Sequence, residues 1–262
     1  MTDQTSTGAL TSIRGRVFIV TGATSGLGLA TAQLFLAEGA GVIAIGRSGP
    51  SHGLAGFSQV RFLTADVTRE DDALRVCETA LETFGHLHGL INCAGIATGE
   101  LVVGRERIHR LDTFAQVVQT NLVGTFNMIR FAARTMSGES RGDDGERGVI
   151  VNTASVAAFD GQIGQAAYAA SKAGIVGMTL PLAREMAQHG IRVVTIAPGV
   201  FDTPMVQAFP DKVRARLTEG IPFPSRFGRP EEFAAAVKHV CENRMINGET
   251  IRLDAALRMG AR

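Results

Sequence analysis

The chain contains one tyrosine, Tyr168, and Lys172 follows it by four residues within Tyr-Ala-Ala-Ser-Lys. At i and i+4 on a helix two side chains share a face. A free phenol, with a pKa of about 10, is a poor base at neutral pH. An ammonium beside it favours the phenolate, so the pair is a candidate proton donor and acceptor. Ser155 lies upstream in Asn152-Thr153-Ala154-Ser155. Its hydroxyl can bond a substrate oxygen while charge develops there. Asn121 falls inside a long predicted helix, where Asn is disfavoured by propensity. Such a residue predicts a specific hydrogen-bonding task.

A second set of residues has the spacing of a phosphate loop. Gly22, Thr24, Ser25, Gly26, Leu27 and Gly28 form G-x-x-x-G-x-G after an apolar run, Val17 to Val20. Glycines let the backbone turn and approach a pyrophosphate, and the N–H groups of the following helix then face it. The end of the next strand selects between the two nicotinamide dinucleotides. An acid there bonds the ribose 2′-hydroxyl of NAD, and a basic residue accommodates the 2′-phosphate of NADP. Here the strand ends Ile45-Gly46-Arg47-Ser48. The expectation is NADP(H) held by Arg47 and Ser48, with NAD(H) and a solvated Arg47 as the alternative. Asp66 and Val67 follow the third strand. The Asp66 carboxylate is placed either to bond the adenine amino group or to cap the next helix. Asn92, Ala94 and Gly95 in Asn92-Cys93-Ala94-Gly95 are small enough to admit the cofactor ribose.

The elements that must position these residues follow from pattern. Short apolar stretches at Val17–Val20, Val42–Ile45, Val60–Thr64, Leu87–Asn92, Gly148–Thr153, Ile191–Ala197 and Glu249–Leu253 do not alternate. That marks strands of a parallel sheet covered on both faces. Helices are expected between them: one carrying Leu27, Ala30, Leu34 and Phe35, then Thr68–Phe84 with Thr68 as N-cap, about 111–136, and about 166–189. Strand–helix alternation of this kind predicts an α/β, Rossmann-type doubly wound, seven-stranded parallel sheet with helices on both faces. Residues 1–12 read as a flexible polar tail, without the charged and apolar regions of a signal peptide. Residues 13–262 read as a single Rossmann-type domain. The stretch from Ser48 to Gly53 is hostile to a helix. Gly138–Gly148 reads as a surface loop, and Phe201–Pro230, with five prolines, as an active-site lid.

Composition narrows the function. Lys and Arg number 26 against 25 Asp and Glu, for a net charge of +1, so a non-specific nucleic-acid binder is not expected. With no Trp and one Tyr, a base-stacking platform is not expected either. No apolar run approaches the ~20 residues of a membrane helix. Cys77, Cys93 and Cys241 are odd in number and widely spaced; they predict free thiols, a reducing compartment and a cytoplasmic protein.

Taken in order, the glycine loop, Asn92-Cys93-Ala94-Gly95, Asn121, Ser155 and the Tyr168/Lys172 pair resemble the short-chain dehydrogenase/reductase family over about residues 13–260. The resemblance implies that Tyr168 is the acid/base, helped by Lys172 and by the oxidised nicotinamide. It implies that Lys172 also holds the ribose, that Ser155 orients the carbonyl and that Asn121 supports a water-linked proton relay. Pro198, Gly199, Val200 and Thr203 match the segment bordering the nicotinamide carboxamide.

Three further segments resemble one subfamily, the type-2 3-hydroxyacyl-CoA dehydrogenases, also called type-10 17β-hydroxysteroid dehydrogenases. These are Asn152 to Tyr168, Ile221-Pro222-Phe223-Pro224-Ser225-Arg226, and Asn247 to Asp254. Extra residues at about Gly99 to Leu111 point the same way. The likeness implies reversible oxidation of a secondary alcohol, with a 3-hydroxyacyl-CoA as substrate, a place in fatty acid metabolism and a homotetramer with residues 252–262 near an interface. That subfamily has Asp after the second strand and uses NAD; this chain has Gly46-Arg47. The alternatives are an NADP(H)-dependent ketoreductase or hydroxysteroid dehydrogenase and, in a different class, a dinucleotide-binding regulator without turnover. The complete tetrad argues against the last.

For the substrate, Gln162 and Gln165 are placed to bond a thioester carbonyl or a second oxygen, or else face solvent. Phe159, Phe201, Met205, Phe209 and Phe223 are candidate apolar walls for an acyl chain or a steroid. Arg105, Arg107 and Arg110 form either a solvated face or a contact for a CoA phosphate. His86-Leu87-His88 lacks a third ligand, and no metal site is expected.

Overall fold

The computed structural model describes residues 11–261. The expected tail therefore lies almost wholly outside the described residues. Seven strands, β1 (Val17–Thr21), β2 (Gly41–Gly46), β3 (Val60–Thr64), β4 (Gly89–Asn92), β5 (Gly148–Thr153), β6 (Ile191–Pro198) and β7 (Thr250–Leu253), form one sheet in the order β3-β2-β1-β4-β5-β6-β7. Every neighbouring pair is parallel. The order reverses between β1 and β4, so a crevice opens there beyond the carboxyl ends of the strands.

Apolar side chains on both strand faces explain the absence of alternation. In β1, Phe18 and Val20 enter one core and Ile19 the other; in β5, Val149 and Val151 oppose Ile150 in the same way. The first core is closed by α1 (Gly26–Ala37) and α8 (Pro230–Glu242), through Phe35, Leu36, Phe233 and Val237. The second is closed by α2 (Glu70–Phe84), α4 (Gly124–Met136) and α5 (Ala166–Met186), through Val76, Met128, Ile129 and Leu182. Burying a large aliphatic or aromatic side chain stabilises by roughly 1.5–3 kcal/mol, and α1 and α8 are fixed mainly by this packing.

One crossover lacks its helix. Residues 47–59 hold only a short turn, His52–Leu54, as the composition of that stretch predicts. Leu54 is buried and Phe57 half-buried against the first core, where a helix would otherwise lie. Gln33 Nε2 ties the turn to α1 by donating to Gly53 O (2.9 Å). The edge strand β3 is in consequence only partly covered.

Several boundaries differ from the expectation. Thr68 is not the N-cap of α2, which begins at Glu70. The Asp66 carboxylate captures Thr68 first, accepting from its N–H (2.9 Å) and its hydroxyl (2.8 Å). β4 begins at Gly89 and β7 at Thr250, each shorter at its start than the apolar run. The long helix over 111–136 is α3 (Leu111–Val118) and α4 joined by a π-helical turn, Gln119–Val123. Gly138–Gly148 is more than a surface loop, because it sends the Glu139 and Glu146 carboxylates inward, 12% and 10% exposed.

The stretch Phe201–Pro230 folds over the crevice as two short helices, α6 (Pro204–Gln207) and α7 (Asp211–Glu219).

Candidate active site

The crevice at the strand-order reversal is a cleft of about 920 Å³. Its floor comes from the loops after β1, β4, β5 and β6, and its outer wall from α6 and α7. At the β1–α1 loop, Gly22 has φ +67, and a Cβ there would lie 2.9 Å from Ala94 N. At Gly28 a Cβ would lie 2.4 Å from Gly22 O. No other residue allows these two segments to close on each other. Ser25 precedes α1, yet its side chain makes no capping bond, and α1 has no acid in its first turn. The helix N-terminus thus offers N–H donors and a favourable dipole to an anion. Thr21, buried behind the loop, accepts from Cys93 N (3.0 Å) and Ala94 N (2.9 Å) through its hydroxyl, joining the two walls.

The remaining expected cofactor residues fall along the same wall. Thr24, Gly26, Leu27, Arg47, Ser48, Asp66, Val67, Ala94, Gly95, Pro198, Gly199, Val200 and Thr203 all line the cleft. Arg47 and Ser48 are exposed at its rim. Asp66 uses Oδ1 on Thr68, and its own N–H is held by Asp72 Oδ2 (2.9 Å). Asn92 does not reach the cleft: it is buried, and its Nδ2 donates to Asn152 Oδ1 across β4 and β5 (2.9 Å). That one bond turns Asn92 toward β5 rather than toward a ligand, and leaves Asn92 Oδ1 and Asn152 Nδ2 buried without a protein partner. The residues present fit a nicotinamide dinucleotide, with an uncapped helix end over glycines for the pyrophosphate and a basic rim at β2.

Ser155, Tyr168 and Lys172 line the same cleft, with the Lys172 Nζ beside Gly95. Ser155 lies two residues beyond β5 and accepts from Ala157 N (3.1 Å), which fixes its hydroxyl at the mouth of a short turn. It shares the cleft with the Tyr168 phenol. Burial is the largest influence on that phenol and pushes its pKa up, with the Ser155 hydroxyl opposing the rise. The Lys172 Nζ lies 5.7 Å from the centre of the Tyr168 ring and donates to Thr153 O (2.8 Å). Burial brings this ammonium down to about 8. The expected depression of the Tyr168 pKa by Lys172 is therefore not a property of the protein alone.

Asn121 is fully buried one layer behind the cleft. Its Oδ1 accepts from Ile96 N (2.8 Å), and its Nδ2 donates to Ile96 O (2.9 Å) and to Ser171 Oγ (3.0 Å). The π-helical turn that carries it offsets the ladder of intrahelical bonds. As placed, Asn121 joins the loop after β4 to the helix bearing Tyr168 and Lys172. Cys93, half-buried at the base of the cleft, accepts from Thr153 Oγ1 (3.6 Å). Burial pushes its thiol up to about 11, so it is not a nucleophile at neutral pH.

At the substrate end, Gln162, Gln165, Phe201, Met205 and Phe209 line the cleft as expected. Gln165 Oε1 accepts from Gln162 N (3.1 Å), and Gln162 Nε2 donates to Gly260 O (3.2 Å). Phe159 and Phe223 are not walls of the cleft. Phe159 is exposed under the Arg252 guanidinium, 5.1 Å from its ring centre, and Phe223 is 83% exposed. Each sits on a loop whose path turns the ring outward. Sequence reasoning missed Ile163, Val206, Val213, Leu217 and Met259 as lining residues. Val213 and Leu217, spaced i and i+4 on α7, carried a usable signal; Met259 carried none.

Arg107 pairs with Glu100 (3.3 Å) and Arg110 with Asp112 (3.3 Å), which favours the solvated reading of that basic cluster. His86 bonds Glu139 (2.9 Å), and His88 Nδ1 accepts from Val17 N (3.0 Å). Among the described residues no group of three or more ligands is placed to hold a metal ion, and no helix is long and apolar enough to cross a membrane. All three cysteines are free.

Residues 16–214 match the family described as short chain dehydrogenase. A 3-hydroxyacyl-CoA dehydrogenase type-2 from Drosophila melanogaster is 50% identical over 252 residues, which cover 94% of this chain and 99% of that one. The protein of the same name from Bos taurus is 48% identical over 256 residues, 96% of this chain and 98% of that one. A solved structure, the 3-hydroxyacyl-CoA dehydrogenase type-2 from Mycobacterium avium, superposes with a TM-score of 0.88 at 36% identity, covering 95% of this chain and 98% of that one.

Proposed function

The chain belongs to the short-chain dehydrogenase family and is an NAD(P)-dependent oxidoreductase; from that premise we propose that it interconverts a 3-hydroxyacyl-CoA and the 3-ketoacyl-CoA, with NADP(H) as its preferred cofactor. The observation that carries the reading is that Ser155, Tyr168 and Lys172 share one cleft with the dinucleotide-binding loops and the apolar side chains of the lid. The names of the relatives support the thioester.

The bound nicotinamide supplies hydride transfer at the substrate carbon. Every other task falls to the chain. Ser155 and Tyr168 hold the substrate oxygen from one side. In the oxidative direction Tyr168 takes the hydroxyl proton, and in the reductive direction it returns one. Lys172, pinned by Thr153 O, keeps a positive charge beside the phenol and stands where the ribose is expected. Asn121 is a positioning residue that acts through Ile96 and Ser171. Gln162 and Gln165 are available to the thioester carbonyl, and the apolar side chains of α6 and α7 cover the acyl chain.

Arg47 and Ser48 support NADP(H). They stand where a carboxylate would be needed to read the 2′-hydroxyl of NAD, and Arg47 makes no ion pair among the described residues. We also propose a homotetramer, as the family resemblance implies, to be checked by light scattering. A cytoplasmic location, for which the three free thiols argue, is to be checked by fractionation.

The test is absorbance at 340 nm with acetoacetyl-CoA and NADPH or NADH at equal concentration. A kcat/KM at least tenfold higher with NADPH is expected. Faster turnover with NADH overturns the cofactor assignment. Turnover of plain ketones with no turnover of the thioester replaces the substrate and favours the ketoreductase or hydroxysteroid alternative.

A further inference from the structure

The segment after β7 is pinned back across the substrate end of the cleft. Arg252 donates to Asp160 Oδ2 (2.6 Å), to Asp254 Oδ2 (2.7 Å) and to Leu257 O (2.9 Å). The Asp254 carboxylate also accepts from Arg258 (3.1 Å) and from Ala256 N (3.1 Å). Between these anchors Ala255 and Ala256 have φ +51 and +61. That is the left-handed region, which two successive alanines occupy only when their surroundings over-determine it. The reversal buries Leu257 against Val156 and Ile221. Farther on, Ala261 O accepts from Ile163 N (2.9 Å) and Gly260 O from Gln162 Nε2 (3.2 Å). The strap is thus tied at both ends to the turn that precedes Tyr168, and Met259, between the ties, lines the cleft.

Met205, Phe209 and Leu217 of the lid line the same cleft as Met259. The lid is built from exposed short helices, whereas the strap is held by ion pairs and main-chain bonds. An unbranched thioether on a pinned backbone makes a fixed wall that still fits itself to an acyl chain. We infer that Met259 is a specificity-determining residue that limits how long an acyl chain the enzyme accepts. The inference rests on the acyl-thioester reading above.

The test is a kcat/KM series with 3-ketoacyl-CoA substrates of increasing length, for the wild type, Met259→Ala and Met259→Phe. Met259→Ala is expected to raise the ratio of 3-ketodecanoyl-CoA to acetoacetyl-CoA by about tenfold, the worth of one to two buried methylenes. Met259→Phe is expected to lower the same ratio. The Kd for NADPH, read by fluorescence titration, stays within a few-fold in both variants. A ratio within twofold of wild type in both variants overturns the inference. So does loss of NADPH binding in both, which would make the strap a scaffold for the whole cleft. A wild type inert with every thioester overturns the substrate reading instead. Plain 2-ketones of increasing length are then scored in the same way, and a size profile that does not move with Met259 overturns the inference.

Discussion

Two buried polar clusters sit at opposite ends of the same sheet. At the amino ends of the strands, Glu146 is met by Arg192 (3.0 Å), Arg244 (3.1 Å) and Arg16 (3.8 Å). Arg192 also donates to the carbonyls of Val240, Cys241 and Ile246, the first two in the last turn of α8. Its positive charge suits the negative end of that helix. None of these residues lines the active-site cleft. At the carboxyl ends, Ser155, Tyr168 and Lys172 spend only some of their capacity on the protein, and they face a cleft. Burial, against smaller opposing effects, moves two of them away from their ordinary pKa values. Buried charge that is satisfied internally serves as scaffold, and polar groups left facing a cavity serve chemistry.

Substitutions at each end should separate the two roles. Ser155→Ala is expected to lower kcat by about a thousandfold, the range for losing one donor to a developing oxyanion, with little change in Tm. Comparable kcat in the variant would place Ser155 outside the chemistry. Glu146→Gln leaves three guanidinium groups around an uncharged amide and is expected to cost about 3 kcal/mol. That lowers Tm by roughly 6–12 °C while kcat of the folded enzyme holds. A loss of kcat at unchanged Tm would erase the distinction between the two ends.

Lys172 offers a pH test. Its folded pKa, about 8, lies below its ordinary 10.5, so between those values the unfolded chain holds more protons than the native one. Stability must then rise with pH across that window, by up to about 3 kcal/mol from this group, and the strain is fully present below pH 8. Lys172→Met should flatten the slope in denaturant titrations between pH 8 and 10; an unchanged slope would assign it to other groups. Asn121→Ala has the smallest effect expected, about 2 kcal/mol of stability from unpaired Ile96 and Ser171 groups. It should be joined by a fall in kcat that Asn121→Ser partly restores. Full kcat in the alanine variant would reduce Asn121 to a packing residue.

The cofactor wall was legible in the sequence because its parts are local. The glycines, Ser25 and the start of α1 lie within one short stretch, and Arg47 immediately follows a strand that the apolar run already marks. Ser155, Tyr168 and Lys172 were legible for the same reason, lying on one strand end and one helix. What was not legible depends on how loops travel. Phe159 and Phe223 have the composition of a pocket wall but point elsewhere, and Met259 reaches the cleft only because two alanines adopt a left-handed turn. The π-helical turn at Asn121 inserts no distinctive residue of its own. Glu139 and Glu146 look like loop carboxylates until their partners, separated widely in sequence, are brought to them by the sheet. Asn92 was misplaced because a small polar residue at a strand end serves equally well against a neighbouring strand or a ligand.

The central claim is that proton transfer at the substrate oxygen belongs to one phenol. It is tested most directly by measuring kcat and the Kd for NADPH together in Tyr168→Phe. The predicted result is a kcat lower by about 10³-fold or more with a Kd within a few-fold of wild type. A kcat within tenfold of wild type, with the cofactor bound as tightly, would contradict it.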